Sequence, residues 1–187
     1  MTDKPRIALL ERGMLSDAPP ELASLYDALL AQRGVVPNMF KTVAHTPALA
    51  MGFAALLKPL LSDGYLPGWY KELIATRVSV LLGSQYAIAA HSLSARQKGA
   101  SEEQIAAASL NFEEGSFTEA QKIGFRCAER IHHSAAEVDE AFFAILKQAF
   151  TDQEIIELVA TACAFQFFPR FVDALRIPMT PPPAATR

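Results

Sequence analysis

The sequence predicts an all-α fold, and three observations predict it. Apolar residues recur at spacings of 3 and 4 in one segment after another, the repeat of a helix with one buried face. No stretch sustains the period-2 alternation of a half-buried strand. Prolines stand where helices begin, and capping pairs precede the later segments, so the element boundaries are written locally. The 187 residues suit one domain, expected over 1–178 and followed by a proline-rich, extended or disordered tail over 179–187.

In chain order, residues 1–17 read as an irregular arm in which Ile7, Ala8, Leu9 and Leu10 pack on the body. Pro19 and Pro20 open a helix with an apolar stripe of Leu22, Leu25, Tyr26, Leu29 and Leu30, and Gly34 ends it. Val36-Pro37-Asn38 starts a short helix through Phe40 and Val43. Thr46 caps the next helix and Pro47 takes its first position; it runs through Leu49, Phe53, Leu56 and Leu57 until Pro59 kinks or ends it. Ser62-Asp63-Gly64 is a turn, and Pro67 opens a helix with Trp69 and Tyr70 as packing residues in its first turn. Past Gly99, four capping boxes follow: Ser101 with Gln104, Ser116 with Glu119 (or Thr118 with Gln121), Ser134 with Glu137, and Thr151 with Glu154. They set helices near 102–110, 118–132, 138–149 and 152–168, with Pro169 interrupting the last and Phe171 to Leu175 continuing it.

Composition narrows the function. Apolar residues make up 51% and charged ones 20%, against about 25% charged in a typical domain. The surplus serves either a partner subunit, as in a homo-oligomer, or a well-filled core. The net charge of −3, with no Lys/Arg cluster, argues against a nucleic-acid partner. No run approaches the roughly 18 apolar residues of a membrane span; the nearest is Ala48 to Leu57. The start, Met-Thr-Asp-Lys-Pro-Arg, has no long apolar region behind it, so no signal peptide is expected. Cys127 and Cys163 stand 36 apart and form no C-x-x-C, which fits two free thiols in a reducing cytoplasm.

The chemistry concentrates in residues 71–99, two helices joined at Leu82-Gly83-Ser84. Glu72, Thr76, Ser79 and Gly83 fall at steps of 4, 3 and 4, one polar or small stripe on the first helix. Ser84, Ala87, His91 and Ser94 fall at steps of 3, 4 and 3 on the second. If the helices fold back on each other, Glu72 and His91 share a pocket. A carboxylate beside an imidazole is the least equipment for proton transfer, orienting the ring and favouring its charged form. A structural hydrogen bond is the alternative reading of the same pair.

The order of these residues resembles the signature of the alkyl hydroperoxidase D-like / carboxymuconolactone decarboxylase superfamily: a Glu, a C-x-x-C pair or its first Cys, and a His. Glu72 and His91 match. Ser84 and Ala87 stand at the two cysteine positions, with Tyr86 between them. G-A-S-E-E-Q-I after the histidine helix and V-P-N-M-F with A-H-T-P upstream agree, so the resemblance spans roughly 34–110.

The resemblance implies a compact bundle of antiparallel helices, usually assembled into trimers or hexamers (the homo-oligomer expected here being a dimer, trimer or hexamer), and chemistry without a metal or organic cofactor. A serine hydroxyl cannot pass through a sulfenic acid, so the family's peroxidase cycle is expected to be absent. The decarboxylase branch implies acid–base work on a small acidic or lactone-type molecule, with His91 moving the proton and Glu72 orienting it. Ser84 and Tyr86 would be polar contacts to substrate, although Ser84 is also placed to cap the second helix. Arg170, after Phe167-Phe168-Pro169, suits either a substrate carboxylate or an intersubunit ion pair. Cys127 and Cys163 read as small buried hydrophobes, with Cys163 the likelier redox substitute because the family's last helix packs near the pocket. The remaining readings are a peroxidase-related antioxidant protein and a scaffold whose catalysis is lost. His45 reads as a local polar contact and His132-His133 as a helix end, with no metal site expected.

Overall fold

The computed structural model describes residues 5–182, which form nine α-helices and no strand. The all-α expectation holds. Packing divides the chain into two compact units, the first holding the residues up to Lys58 with those from Val172 onward and the second running Pro59–Phe171. Residues 1–4 of the expected arm and 183–187 of the expected tail lie outside the described residues.

The first unit contains α1 (Pro20–Arg33), α2 (Asn38–Val43) and the larger part of α3 (Pro47–Leu61). Leu22, Tyr26 and Leu29 of the predicted α1 stripe are buried, whereas Leu30 is 52% exposed. Gly34 closes α1 at φ 69°, the left-handed position that glycine takes without cost. Of the arm residues expected to pack on the body, Ile7 and Ala8 are exposed and Leu9 and Leu10 half-buried, and the hold is through the backbone: Tyr26 Oη donates to Leu10 O at 2.9 Å, and His45 Nε2 lies 2.9 Å from Ala8 O. Asn38 donates from Nδ2 to Pro178 O and Met179 O at 3.1 and 3.0 Å, so the first residues past 178 are tied to α2.

The second unit contains α4 (Gly68–Leu81), α5 (Gln85–Gln97), α6 (Glu102–Ser109), α7 (Glu119–His133), α8 (Glu140–Ala149) and most of α9 (Asp152–Ala174). Helix α4 packs on α5, α6 and α7. It is covered on all sides, with Leu73, Ile74 and Val78 fully buried and Lys71, Glu72, Thr76 and Ser79 buried beside them. Thr76 and Ser79 turn their hydroxyls back onto Glu72 O (2.9 Å) and Ala75 O (2.7 Å), the usual way a helix satisfies such groups in its interior. Tyr70 Oη donates to Gln121 O at 2.6 Å, and its ring packs edge-on with Trp69 and Phe125, so the aromatic first turn is core.

Three of the predicted capping boxes form, at Ser101/Gln104, Thr118/Gln121 and Thr151/Glu154. Ser134/Glu137 does not. Ser134 starts a single 3-10 turn over Ala135–Glu137, and Asp139 caps α8 through Phe142 N instead. Neither internal proline ends its helix: α3 continues past Pro59 to Leu61, and α9 runs through Pro169 to Ala174. A proline inside a helix costs about 3 kcal/mol. In α9 that cost is offset by a buried face of Ile155, Leu158, Ala162 and Phe165. Contrary to the sequence reading, this 23-residue helix is long and apolar enough by length and composition to cross a membrane, but its one-sided burial is that of a core helix.

Candidate functional site

The turn between α4 and α5 sets the site. Gly83 takes φ +72°, which a side chain would resist, and Ser84 N donates to Ser79 O at 3.0 Å, reversing the chain within three residues. The stripes of the two helices thereby face each other. Glu72, near the start of α4, meets His91, in the middle of α5.

Glu72 is fully buried and its two oxygens are used differently. Oε2 takes His91 Nδ1 at 2.7 Å. Oε1 accepts from Ser94 Oγ at 2.6 Å and from Lys98 Nζ at 2.5 Å. Burial pushes this carboxyl up, but the His91 hydrogen bond and the charges of His91 and Lys98 outweigh burial and hold it at about 2. The group is therefore a carboxylate at neutral pH. With Nδ1 on the glutamate, His91 meets any ligand through Nε2. Its ring also packs edge-on against Phe165 of α9, centroids 4.4 Å apart, which fixes the ring plane from a second side.

Lys98 also donates to Leu61 O at 2.6 Å, in the last turn of α3. A second lysine does parallel work there. Lys71, fully buried on α4, donates to Pro59 O at 3.2 Å and to Glu157 Oε2 of α9 at 3.0 Å. Glu157 also accepts from the N–H groups of Tyr65 and Leu66, at 3.1 and 2.9 Å. The final carbonyls of α3 lack partners within their own helix, so both lysines sit where cations are favoured.

The structure brings Glu72 and His91 together and adds Ser94 and Lys98, which the sequence reading gave no role. Ser94 was on the predicted stripe. Lys98 lies seven residues after His91, two helical turns along the same face, and that spacing was the available signal. Ser84 is buried at the N-cap of α5 but makes no side-chain cap hydrogen bond, so the capping alternative falls. Tyr86 is half-buried in the first turn of α5. Arg170 stands elsewhere in the unit, exposed on α9, where Nη1 donates to Gln166 O at 2.7 Å. With Cys163, Gln166, Phe167 and Phe171 it lines a shallow groove of about 490 Å³.

Cys127 is buried, and desolvation pushes its thiol up to about 12. Cys163 is exposed, contrary to the buried reading, yet desolvation by the protein around it still raises its thiol. Neither sits in the electropositive setting that makes a reactive thiolate. His132 Nδ1 lies 3.2 Å from Gln166 Oε1. No group of three or more His, Cys, Asp or Glu side chains converges as a metal site among the described residues.

Comparison with known proteins places this geometry. Residues 47–130 match the carboxymuconolactone decarboxylase family, a stretch that starts and ends later than the motifs implied. No curated protein matches. Among solved structures, an alkylhydroperoxidase AhpD core, a peroxidase-related protein from Ralstonia eutropha, superposes with a TM-score of 0.85 at 22% identity, covering 94% of this chain and 92% of that one. A peroxidase-related protein from Silicibacter sp. gives 0.85 at 22% identity over 97% and 95%. A variant of the debrominase Bmp8, in complex with 2,3,4-tribromopyrrole, gives 0.80 at 23% identity over 92% and 90%. The shared property is the fold, which is alkylhydroperoxidase D-like.

Proposed function

We propose that this chain, whose residues 47–130 belong to the carboxymuconolactone decarboxylase family, performs cofactor-free acid–base chemistry of a decarboxylase or lyase type on a small acidic or lactone-type molecule. One observation carries the reading: His91 Nδ1 is held at 2.7 Å by a fully buried carboxylate, leaving Nε2 to exchange protons with a ligand. In a decarboxylation the bond to the carboxylate carbon breaks, CO2 leaves, and the electron pair stays as an enolate. The charged ring then delivers a proton to that carbon through Nε2. Glu72 orients the ring throughout. Ser84 and Tyr86 are polar contacts for substrate, and Arg170 is a carboxylate contact only if substrate reaches the α9 groove. The chain works as a homo-oligomer, a dimer, trimer or hexamer, which gives a use to exposed Leu110, Ile156 and Phe167. Its compartment is the cytoplasm, where two unbridged cysteines are the ordinary state.

A thiol-based peroxidase reading has one observation in its favour. Cys163 is exposed and two residues from Phe165, the ring packed on His91. The raised thiol argues the other way. The test has two arms. Hydroperoxide consumption with a dithiol is measured for the wild type and for Cys127→Ser/Cys163→Ser; turnover that vanishes in the double variant establishes the thiol reading and ends the acid–base one. Lactones and β-keto or γ-carboxy acids are then screened with His91→Ala as control. Turnover lowered by about 10²–10⁴-fold in His91→Ala is expected. If no substrate turns over and none binds more weakly to His91→Ala or Glu72→Gln, the chain is a scaffold with its catalysis lost.

A further inference from the structure

The buried carboxylate of Glu72 poses a question of charge. It is fully shielded from bulk solvent, and burying an unpaired carboxylate is prohibitive. The ring of His91 is not its sole partner. We infer that Lys98 is a positioning residue for the Glu72–His91 pair: its ammonium occupies Oε1, so that the carboxylate's charge is balanced without an imidazolium and Oε2 is left to hold Nδ1–H. The inference deepens the acid–base reading and rests on His91 as the proton-exchanging group.

The geometry carries it. Ser94 and Lys98 converge on one oxygen at 2.6 and 2.5 Å, and His91 alone takes the other at 2.7 Å. Lys98 is itself the C-cap of α5. Long side chains on a helix lean toward its N-terminus, so Lys98 reaches back over Ser94 to the carboxylate. Its second bond, to Leu61 O at 2.6 Å, anchors the ammonium on the last turn of α3 and stops it from following either carboxylate oxygen freely. The charged groups acting on Glu72 are His91 and Lys98; what α9 packs against the His91 ring is the apolar ring of Phe165. The consequence is functional. A ring that need not be charged to keep Glu72 buried can give up its proton through Nε2, stay neutral beside the carboxylate, and take up another proton afterwards. Without Lys98 the imidazolium would be the one cation available to the carboxylate, and the ring would be held more firmly in its charged form.

The test is nitrogen–proton correlation spectroscopy of the His91 ring in ligand-free protein, followed through a pH titration in the wild type, Lys98→Met and Lys98→Arg. In the wild type, the neutral ring is expected to carry its proton on Nδ1. In Lys98→Met the midpoint of the His91 titration is expected to rise by about one unit or more, the usual effect of leaving a carboxylate with a single cation. Lys98→Arg is expected to bring it back. A ring whose proton sits on Nε2 in the wild type, or a midpoint that stays put in Lys98→Met, overturns the inference. If Lys98→Met does not fold, the wild-type ammonium is observed directly: a slowly exchanging Nζ supports the inference, and an Nζ that exchanges like a free lysine overturns it. No substrate enters these measurements. A substrate screen that fails therefore sinks the acid–base reading and leaves the role of Lys98 intact, while an unmoved ring sinks Lys98 whatever the screen returns.

Discussion

Two lysine–glutamate pairs close the end of α3, and they differ in the partners each carboxylate takes besides its lysine. Glu157 takes Lys71 and two backbone N–H groups, so each of its strong contacts is a structural one. Glu72 takes Lys98, a serine and an imidazole. Burial works against both carboxylates, and in both the surrounding donors win and hold the group below its ordinary value. Similar electrostatics thus serve two ends. Where the remaining donors are main-chain, the pair is a clasp; where one of them is a ring with a second nitrogen, the pair can pass a proton on.

The clasp should matter most to stability. Glu157→Ala strands the fully buried Lys71 ammonium, and losing one partner of a buried pair costs about 3–5 kcal/mol. Urea unfolding midpoints should fall accordingly, while the His91 ring signals stay where they are. A ring that shifts with Glu157→Ala would mean that the two pairs act as one network.

The site pair should govern the acid limit. Glu72 is held at about 2 against an ordinary 4.5, so it contributes stability that is present above the ordinary value and lost as pH falls through that window. Glu72→Gln should be less stable than the wild type at neutral pH and should lose less on acidification between about pH 4.5 and 2. Parallel acid profiles for the two proteins would refute this assignment.

The smallest effect is expected at the edge of the clasp. A Cβ on Gly64 would run into Glu157 Oε1, so Gly64→Ala must push the carboxylate off the Tyr65 and Leu66 N–H groups. A loss of about 1–3 kcal/mol in thermal or urea unfolding is expected, with no change at His91.

The sequence disclosed the site pair because Glu72 and His91 lie on stripes with steps of 3 and 4 on consecutive helices, and a glycine turn between them leaves few ways to fold back. It disclosed the starts of α6, α7 and α9 because capping is chemistry between residues three apart. Helix ends were another matter. Pro59 and Pro169 read as breaks, yet both helices continue, since tertiary packing outweighs a local preference. The last carbonyls of α3 are satisfied by Lys71 and Lys98, 12 and 37 residues away, which no local rule can see. The Ser134/Glu137 pattern was present but lost to a better cap at Asp139, five residues on. Arg170 was singled out for its aromatic neighbours, and the structure gives it a partner on its own helix.

The separations of these contacts along the chain also order the assembly of the protein. The Glu72–His91 bond joins residues 19 apart within one helical hairpin, whereas the Lys71–Glu157 bond must close a loop of 86. Short loops close at lower entropic cost and contribute to fast folding, and long ones wait. Refolding should therefore show protection of α4 and α5 amides before those of the Ser62–Leu66 turn, with the Glu72–His91 pair assembled on a nascent hairpin before α9 arrives to clasp the end of α3.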